Sequence, residues 1–269
     1  VDITERKRAE QALEHYAAEL KRSNEDLQQF AYTVSHDLQY PLRMVTQYLK
    51  LLLDNFDDQL DETGREFIDW AMEGAERMRD LINDLLAYAR VGSRGGKLQP
   101  VDAEDVLTQT LQGLCFEIEA QDADVTHDPL PTVMADEAQL GQVFQNLISN
   151  ALKFHKDEPP RVHITAERLG EAMDLKDVSL DALSSKDVWV FSVCDNGIGI
   201  APDDQTRIFG VFQRLHTEEE YPGTGIGLAV CKRVIARHGG RIWVESQLGE
   251  GATFYFTLPA VAESSLVPT

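Results

Sequence analysis

From Thr4 to Asp37 the chain holds neither glycine nor proline, and its apolar residues return every seven positions. Leu13, Leu20, Leu27 and Val34 form one seam. Ala17, Asn24, Ala31 and Leu38, four residues after each, form a second. That is an a/d heptad pattern with the first set at d and the second at a. It confines the stretch to one long helix whose stripe must meet another helix, a coiled coil. Asn24 at an a position sets register at some cost in stability. In this register Ser35 falls at e, His36 at f and Asp37 at g, so His36 is expected on the outer, solvated face. Pro41 removes one backbone hydrogen bond and is expected to bend the helix just past His36.

The apolar pattern stops at Asp57 to Thr63, which predicts a turn. It resumes from Gly64 to Val91, where Phe67, Ala71, Met78, Leu81, Leu85 and Tyr88 fall on one stripe. Two helices joined by a short turn make an antiparallel hairpin. A hairpin still exposes an apolar stripe, and two hairpins pairing into a four-helix bundle bury it, which predicts a homodimer. Gly92, Ser93, Gly95 and Gly96 then read as a linker.

After the linker, helical patches (103–120, 135–154, 227–238) alternate with strand candidates rich in β-branched and aromatic residues (161–166, 189–194, 241–245, 253–258). The expected fold is an α/β sandwich of α+β type. The polar stretch Gly170 to Asp187 reads as a surface insertion and 262–269 as a disordered tail. With Lys+Arg 25 against Asp+Glu 46, a formal charge of −21 repels duplex nucleic acid and anionic membrane. No run approaches the roughly 18 apolar residues of a membrane span. Cys115, Cys194 and Cys231 form no CxxC pair, which suits a reducing cytoplasm. The first residue is Val1 rather than Met, so a longer parent protein is expected.

Four segments carry chemistry. In Ser35-His36-Asp37-Leu38-Gln39-Tyr40-Pro41-Leu42, a neutral imidazole is a competent nucleophile near neutral pH. The Asp37 carboxylate is placed to hold one ring nitrogen as N–H, which leaves the other as a lone pair. In 145–154, Asn146, Asn150 and Lys153 recur at spacings of four and three and share a helix face. Amide oxygens ligate a hard cation such as Mg²⁺ and an ammonium meets phosphate. Alone, the same face also reads as a solvated one. Asp195-Asn196-Gly197-Ile198-Gly199 leaves a strand; its carboxylate can accept from the amino group of a base, and its glycines admit close backbone approach. Alone, it is also a common turn. Gly223-Thr224-Gly225-Ile226-Gly227-Leu228 feeds a helix N-terminus, an anion site. It lacks the GK[ST] of a P-loop and follows no strand.

In this order, the four segments resemble the transmitter core of a sensor histidine kinase. Residues 35–42 resemble its H box, 146–154 its N box and 195–199 its first glycine box. Residues 208–212 resemble the F box and 223–228 the second glycine box. The ATP half resembles the ATPase superfamily that includes gyrase and heat-shock chaperones. Those relatives carry a water-activating glutamate where this chain has Asn146, a difference that favours phosphoryl transfer over hydrolysis. Gln213-Arg214-Leu215-His216 with Tyr221-Pro222-Gly223 resembles the kinases of phytochrome-like receptors. Val1 to Arg8 resembles the exit of a PAS sensor domain.

The resemblance implies a signalling helix at 1–22, a dimerisation and histidine phosphotransfer domain at 23–95, a GHKL-type ATP-binding domain at 96–261 and a tail at 262–269. It implies ATP with Mg²⁺, the metal on Asn150 with Asn146 assisting, Lys153 on phosphate, Asp195 on the adenine amino group and Phe154 on the base face. A lid over about 213–222 would end in the loop of Gly223, Thr224, Gly225, Gly227 and Leu228, with Gly197 and Gly199 opposite. His36 would attack the γ-phosphorus with Asp37 orienting it, and the phosphoryl group would pass to an aspartate of a response-regulator receiver domain. An upstream sensor would supply the signal. One residue departs from the family: four residues after the histidine, where a small polar or acidic side chain aligns water to dephosphorylate the receiver, stands Tyr40. The competing readings are a non-catalytic dimeric scaffold that binds nucleotide and a receiver phosphatase that rarely phosphorylates itself.

Overall fold

The computed structural model describes residues 16, 19, 22, 33, 35, 37–93, 96–156, 158–169, 187–217, 220–221 and 223–261. Most of the heptad seam, His36, the 170–186 insertion and the 262–269 tail lie outside the described residues. The chain divides into two compact units, Val1–Ser93 and Arg94–Thr269.

The first unit is a helical hairpin. Helix α1 covers residues 37–56 and runs through Pro41. A 3-10 turn at Asp57–Gln59 leads to α2, Glu62–Ser93. The turn falls where the apolar pattern stops. Arg65 fixes it by donating from Nε to the Asp57 carboxylate and from Nη2 to the Asp57 carbonyl, both at 2.7 Å. The Asp61 carboxylate accepts from the Gly64 amide at 2.8 Å and satisfies one unpaired donor of the first helical turn. Gln39 Nε2 donates to Asn83 Oδ1 at 3.0 Å, one cross-link between the helices.

The stripe read on α2 is only partly covered within this chain, with Leu81, Leu85 and Tyr88 half-buried. Phe67 and Met78 stay 59% and 51% exposed, and Ile68, Ala75, Leu86 and Ala89, beside them on the helix, are buried instead. Two apolar stripes run along α2, and one partner helix covers only one of them fully. On α1, Leu38 and Val45 are likewise exposed, whereas Leu42 is buried.

In the second unit, β1 (Gln99–Asp102) pairs antiparallel with β3 (Thr132–Ala135). A five-stranded sheet follows the order β2-β4-β5-β7-β6. Its strands are β2 (Asp124–His127), β4 (Arg161–Arg168), β5 (Val188–Asp195), β6 (Ile242–Ser246) and β7 (Ala252–Pro259). Only the β2–β4 pair is parallel. The helices are α3 (Ala103–Gly113), α4 (Cys115–Ala120), α5 (Glu137–Lys153) and α6 (Gly227–Arg237). The single helix expected over 103–120 is thus two, broken at Leu114. Asp102 and Asp136 cap α3 and α5 by accepting from the Glu104 and Gln139 amides. The four later strands match their expected positions within two residues, whereas β1, β2 and β3 were not anticipated.

Helix α5 fixes the core. Phe144 lies edge-on to Phe191 of β5 and Phe256 of β7, at 6.2 and 6.0 Å, and those two rings stack at 4.9 Å. All three are fully buried. The aromatic cluster holds one face of α5 on the sheet and leaves the opposite face, with its amides and ammonium, to the site.

Candidate nucleotide site

The polar face of α5 exists because its other face is apolar: Leu147, Ile148, Ala151 and Leu152 are buried. Asn146 is engaged at both ends of its amide. Nδ2 donates to the Gly227 carbonyl at 3.1 Å and to Cys231 Sγ at 3.6 Å, and Oδ1 accepts from Gln142 Nε2 at 3.2 Å. It ties α5 to the first turns of α6. Burial pushes the Cys231 thiol up to about 12, so it packs as a small apolar group. The Asn150 amide, one turn on, makes no side-chain hydrogen bond among the described residues.

Lys153 ends α5. Its Nζ lies 4.3 Å from the Phe154 ring centroid, and burial, with the nearby Arg214 cation, lowers its pKa to about 8. A Cβ on Gly223 would stand 2.5 Å from this ammonium, and Gly223 has φ +150°, so only glycine passes here. Gly225 has φ +72° and sits against the Gln213 carbonyl and the Arg214 side chain. Gly227 faces the Asn146 amide, Thr224 Oγ1 accepts from the Ile226 amide at 3.3 Å, and Leu228 is half-buried in the first turn of α6. The second glycine loop is therefore held against α5 at both ends.

Asp195 closes β5. Its Oδ1 accepts from the Gly197 amide at 2.8 Å and the Ala252 amide at 3.1 Å. Burial raises its pKa against the pull of those two donors. One carboxylate oxygen is thus anchored, and the other remains an acceptor for a ligand. The Ile198 amide donates to the Phe154 carbonyl at 2.9 Å, and a side chain on Gly197 would collide with that carbonyl. The first glycine loop is thereby joined to the end of α5. Gly199, at φ +73°, is packed on the Gln247 carbonyl.

The Phe154 ring has Tyr221 at 5.0 Å and His216 at 6.2 Å as neighbours, both from the 213–222 segment expected to form a lid. Tyr221 also donates its hydroxyl to the His155 carbonyl at 3.2 Å. Gly251 was missed altogether: it has φ +86°, and a side chain there would collide with the Asp195 carbonyl. The only trace of it in sequence is a Gly-x-Gly turn between two strands.

Asn146, Asn150, Lys153, Asp195 and both glycine loops therefore converge in the second unit. In the first unit, Asp37 lies exposed on α1. Tyr40 is 61% exposed, and the Arg43 guanidinium carbon stands 5.7 Å from its ring centroid. Among the described residues no group of three or more His, Cys, Asp or Glu is placed to hold a metal ion. Among the described residues no helix is long and apolar enough to cross a membrane.

Residues 26–94 match the His Kinase A (phospho-acceptor) domain. Residues 135–262 match the histidine kinase-, DNA gyrase B- and HSP90-like ATPase. The chain is 52% identical over 247 residues to cyanobacterial phytochrome A of Nostoc sp. strain PCC 7120, covering 92% of this chain and 30% of that protein. It is 45% identical over 252 residues to the phytochrome-like protein Cph1 of Synechocystis sp. strain PCC 6803, covering 94% and 32%. The chain thus spans about a third of the length of these relatives. The crystal structure of full-length ShkA in complex with AMPPNP is similar with a TM-score of 0.62 and 32% identity, over 86% of this chain and 46% of that one. A phosphoacceptor helical hairpin followed by this ATPase fold, with both glycine loops and the asparagine face in place, makes the chain a member of the sensor histidine kinase family.

Proposed function

We propose that this chain is an ATP-dependent protein-histidine kinase module that phosphorylates His36 and passes the phosphoryl group to an aspartate on a receiver domain. The convergence of Asn150, Lys153, Asp195 and the Gly223–Gly227 loop in one site, on a chain that also carries a phosphoacceptor hairpin, supports this reading most directly. Asp195 accepts from the adenine amino group through its unanchored oxygen. Lys153 and the amides of the second glycine loop receive the phosphates. The uncommitted Asn150 amide fits a divalent cation, and Asn146 assists by holding the loop beside it. When bound, Mg²⁺ supplies charge neutralisation on the phosphates.

The unprotonated His36 nitrogen attacks the γ-phosphorus while Asp37 holds the other ring nitrogen as N–H. The bond that forms is N–P; the bond that breaks is P–O to the ADP leaving group. Catalysis on this account is positioning plus electrostatic stabilisation.

The uncovered apolar stripes of α1 and α2 support a homodimer through the hairpins. An upstream sensor domain is part of the proposal, since the phytochrome relatives extend well beyond the matched region. The three cysteines are free thiols, which supports a reducing, cytoplasmic setting.

Incubation with γ-labelled ATP tests the reading. Wild type should acquire acid-labile, base-stable phosphate, and His36→Gln should acquire none while still binding ATP. Label retained in His36→Gln would overturn the assignment, and nucleotide binding without label in wild type would favour a non-catalytic scaffold.

A further inference from the structure

The Asp195 carboxylate is held by one amide of its own loop, Gly197, and by one from outside it, Ala252. The turn between β6 and β7 links the two. Ser246 Oγ accepts from the Ile200 amide at 2.8 Å and donates to the Gly251 carbonyl at 2.6 Å. One hydroxyl thus joins the far end of the Asp195–Ile200 loop to the start of β7. The next residue, Ala252, donates its amide to Asp195 Oδ1. The Gly249 amide donates to the Ile198 carbonyl at 2.8 Å. Gln205 Nε2 braces the arrangement by donating to the Ser246 carbonyl at 2.8 Å and to the Ile200 carbonyl at 3.4 Å.

We infer that Ser246 is a positioning residue that sets which Asp195 oxygen faces the nucleotide base, and with it the preference for adenine over guanine. The inference rests on the reading of Asp195 as the base-recognising carboxylate. The Ser246 hydroxyl is engaged by two backbone groups, so it acts through Gly251 and Ala252 on one side and Ile200 on the other. Without the hydroxyl, the Ile200 amide loses its acceptor and the Gly251 carbonyl its donor. The loop and the start of β7, whose Gly197 and Ala252 amides hold Asp195 Oδ1, then lose this cross-link. A carboxylate free to turn can point its acceptor pair away from an amino group. Guanine offers a carbonyl where adenine offers that amino group, so it lacks the hydrogen bond that adenine loses when the carboxylate turns.

The test is calorimetric titration of the intact chain with Mg-ATP and Mg-GTP, in wild type, Ser246→Ala and Ser246→Thr. Ser246→Ala should weaken ATP on the order of tenfold, leave GTP nearly unchanged and so collapse the ATP:GTP ratio. Ser246→Thr keeps the hydroxyl and should restore the ratio. Phosphorylation of His36 should show the loss in KM and not in the rate at saturating ATP. Gln205→Leu, which removes only the brace, should move the ratio the same way by less, and it keeps the inference testable if Ser246→Ala does not fold. A Ser246→Ala protein that loses ATP and GTP in parallel, or keeps the wild-type ratio, overturns the inference. A wild type with no preference for ATP over GTP overturns the reading of Asp195 itself.

Discussion

The two units differ in where most of their large apolar side chains lie, although Phe116, Phe212 and Leu248 of the second unit are also exposed. In the α/β unit, Phe144, Phe191 and Phe256 are fully buried inside one chain. In the helical unit, Trp70 is 62% exposed, with Phe67 packed on it at 5.7 Å and Leu38, Val45, Tyr48 and Met78 exposed as well. Stretches of apolar surface on this scale mark an interaction site rather than a solvated face. The nucleotide site needs rigidity to hold several groups in one geometry, and an internal core supplies it. On the proposed reading the hairpin presents a single side chain, and a second copy completes its packing. On that reading folding and association are linked in the first unit and separable in the second.

The sharpest way to break this contrast is to charge the open stripes. Val45→Glu combined with Met78→Glu should weaken self-association by on the order of a thousandfold, since each charge would be desolvated without a partner. Light scattering should fall from about twice 30.2 kDa to about 30.2 kDa, and ATP binding per chain should persist. Loss of nucleotide binding along with the dimer would show that the units are not separable.

The reverse cut is Asn150→Ala. It should weaken Mg²⁺-dependent ATP binding by about a hundredfold, in line with losing one ligand of a metal-phosphate site, and leave the dimer mass unchanged. Unaltered phosphorylation would refute the metal role.

The same contrast sets what was legible in sequence. The long strands β4, β5 and β7 are rich in β-branched and aromatic residues, and α5 shows its polar face at spacings of four and three, so the site could be assembled from pattern together with the family resemblance. Strands β1, β2 and β3 are four residues each. They are stabilised by pairing and by the caps at Asp102 and Asp136, which no periodicity displays. On α2 the pattern shows that residues are apolar but not which stripe is covered from within the chain. Gly251, Ser246 and Gln205 act through backbone atoms distant in sequence, and such contacts leave no motif.

A third prediction uses charge within the nucleotide site. Lys153 loses its proton near pH 8 in the free site. Bound phosphate favours the ammonium, so binding above that pH takes up a proton. ATP affinity should hold steady near pH 7 and fall above about pH 8, approaching tenfold per unit. On the acid side, affinity should fall as Asp195 takes up a proton, at a higher pH than for a solvated aspartate, because burial raises its pKa. Lys153→Arg should remove the alkaline fall and keep the acid one. The hairpin should show neither, and a dimer mass that tracked the same profile would contradict this.

The smallest effect belongs to Tyr40, and it bears on what the hairpin does beyond accepting phosphate. Tyr40 lies four residues after His36, a spacing that on a continuous helix puts both on one face. Its ring is exposed beside the Arg43 guanidinium, close enough for a weak cation–π attraction. A receiver docking its aspartate here meets a bulky phenol and a cation. Water attacking a receiver's phosphoryl group needs a hydrogen-bonding partner at this level, where the family offers a short polar or acidic head. The phenol projects further than such a head and leaves less room for that water. Autophosphorylation should therefore survive while phosphorylated receiver decays at close to its own rate in the presence of this protein. Tyr40→Glu or Tyr40→Thr should speed that decay at least about threefold, a small part of what a well-placed base contributes, with little change in phosphorylation of His36. Rapid stripping of the receiver by the unaltered chain would show that water finds its partner elsewhere on the hairpin, and that the phenol is no barrier.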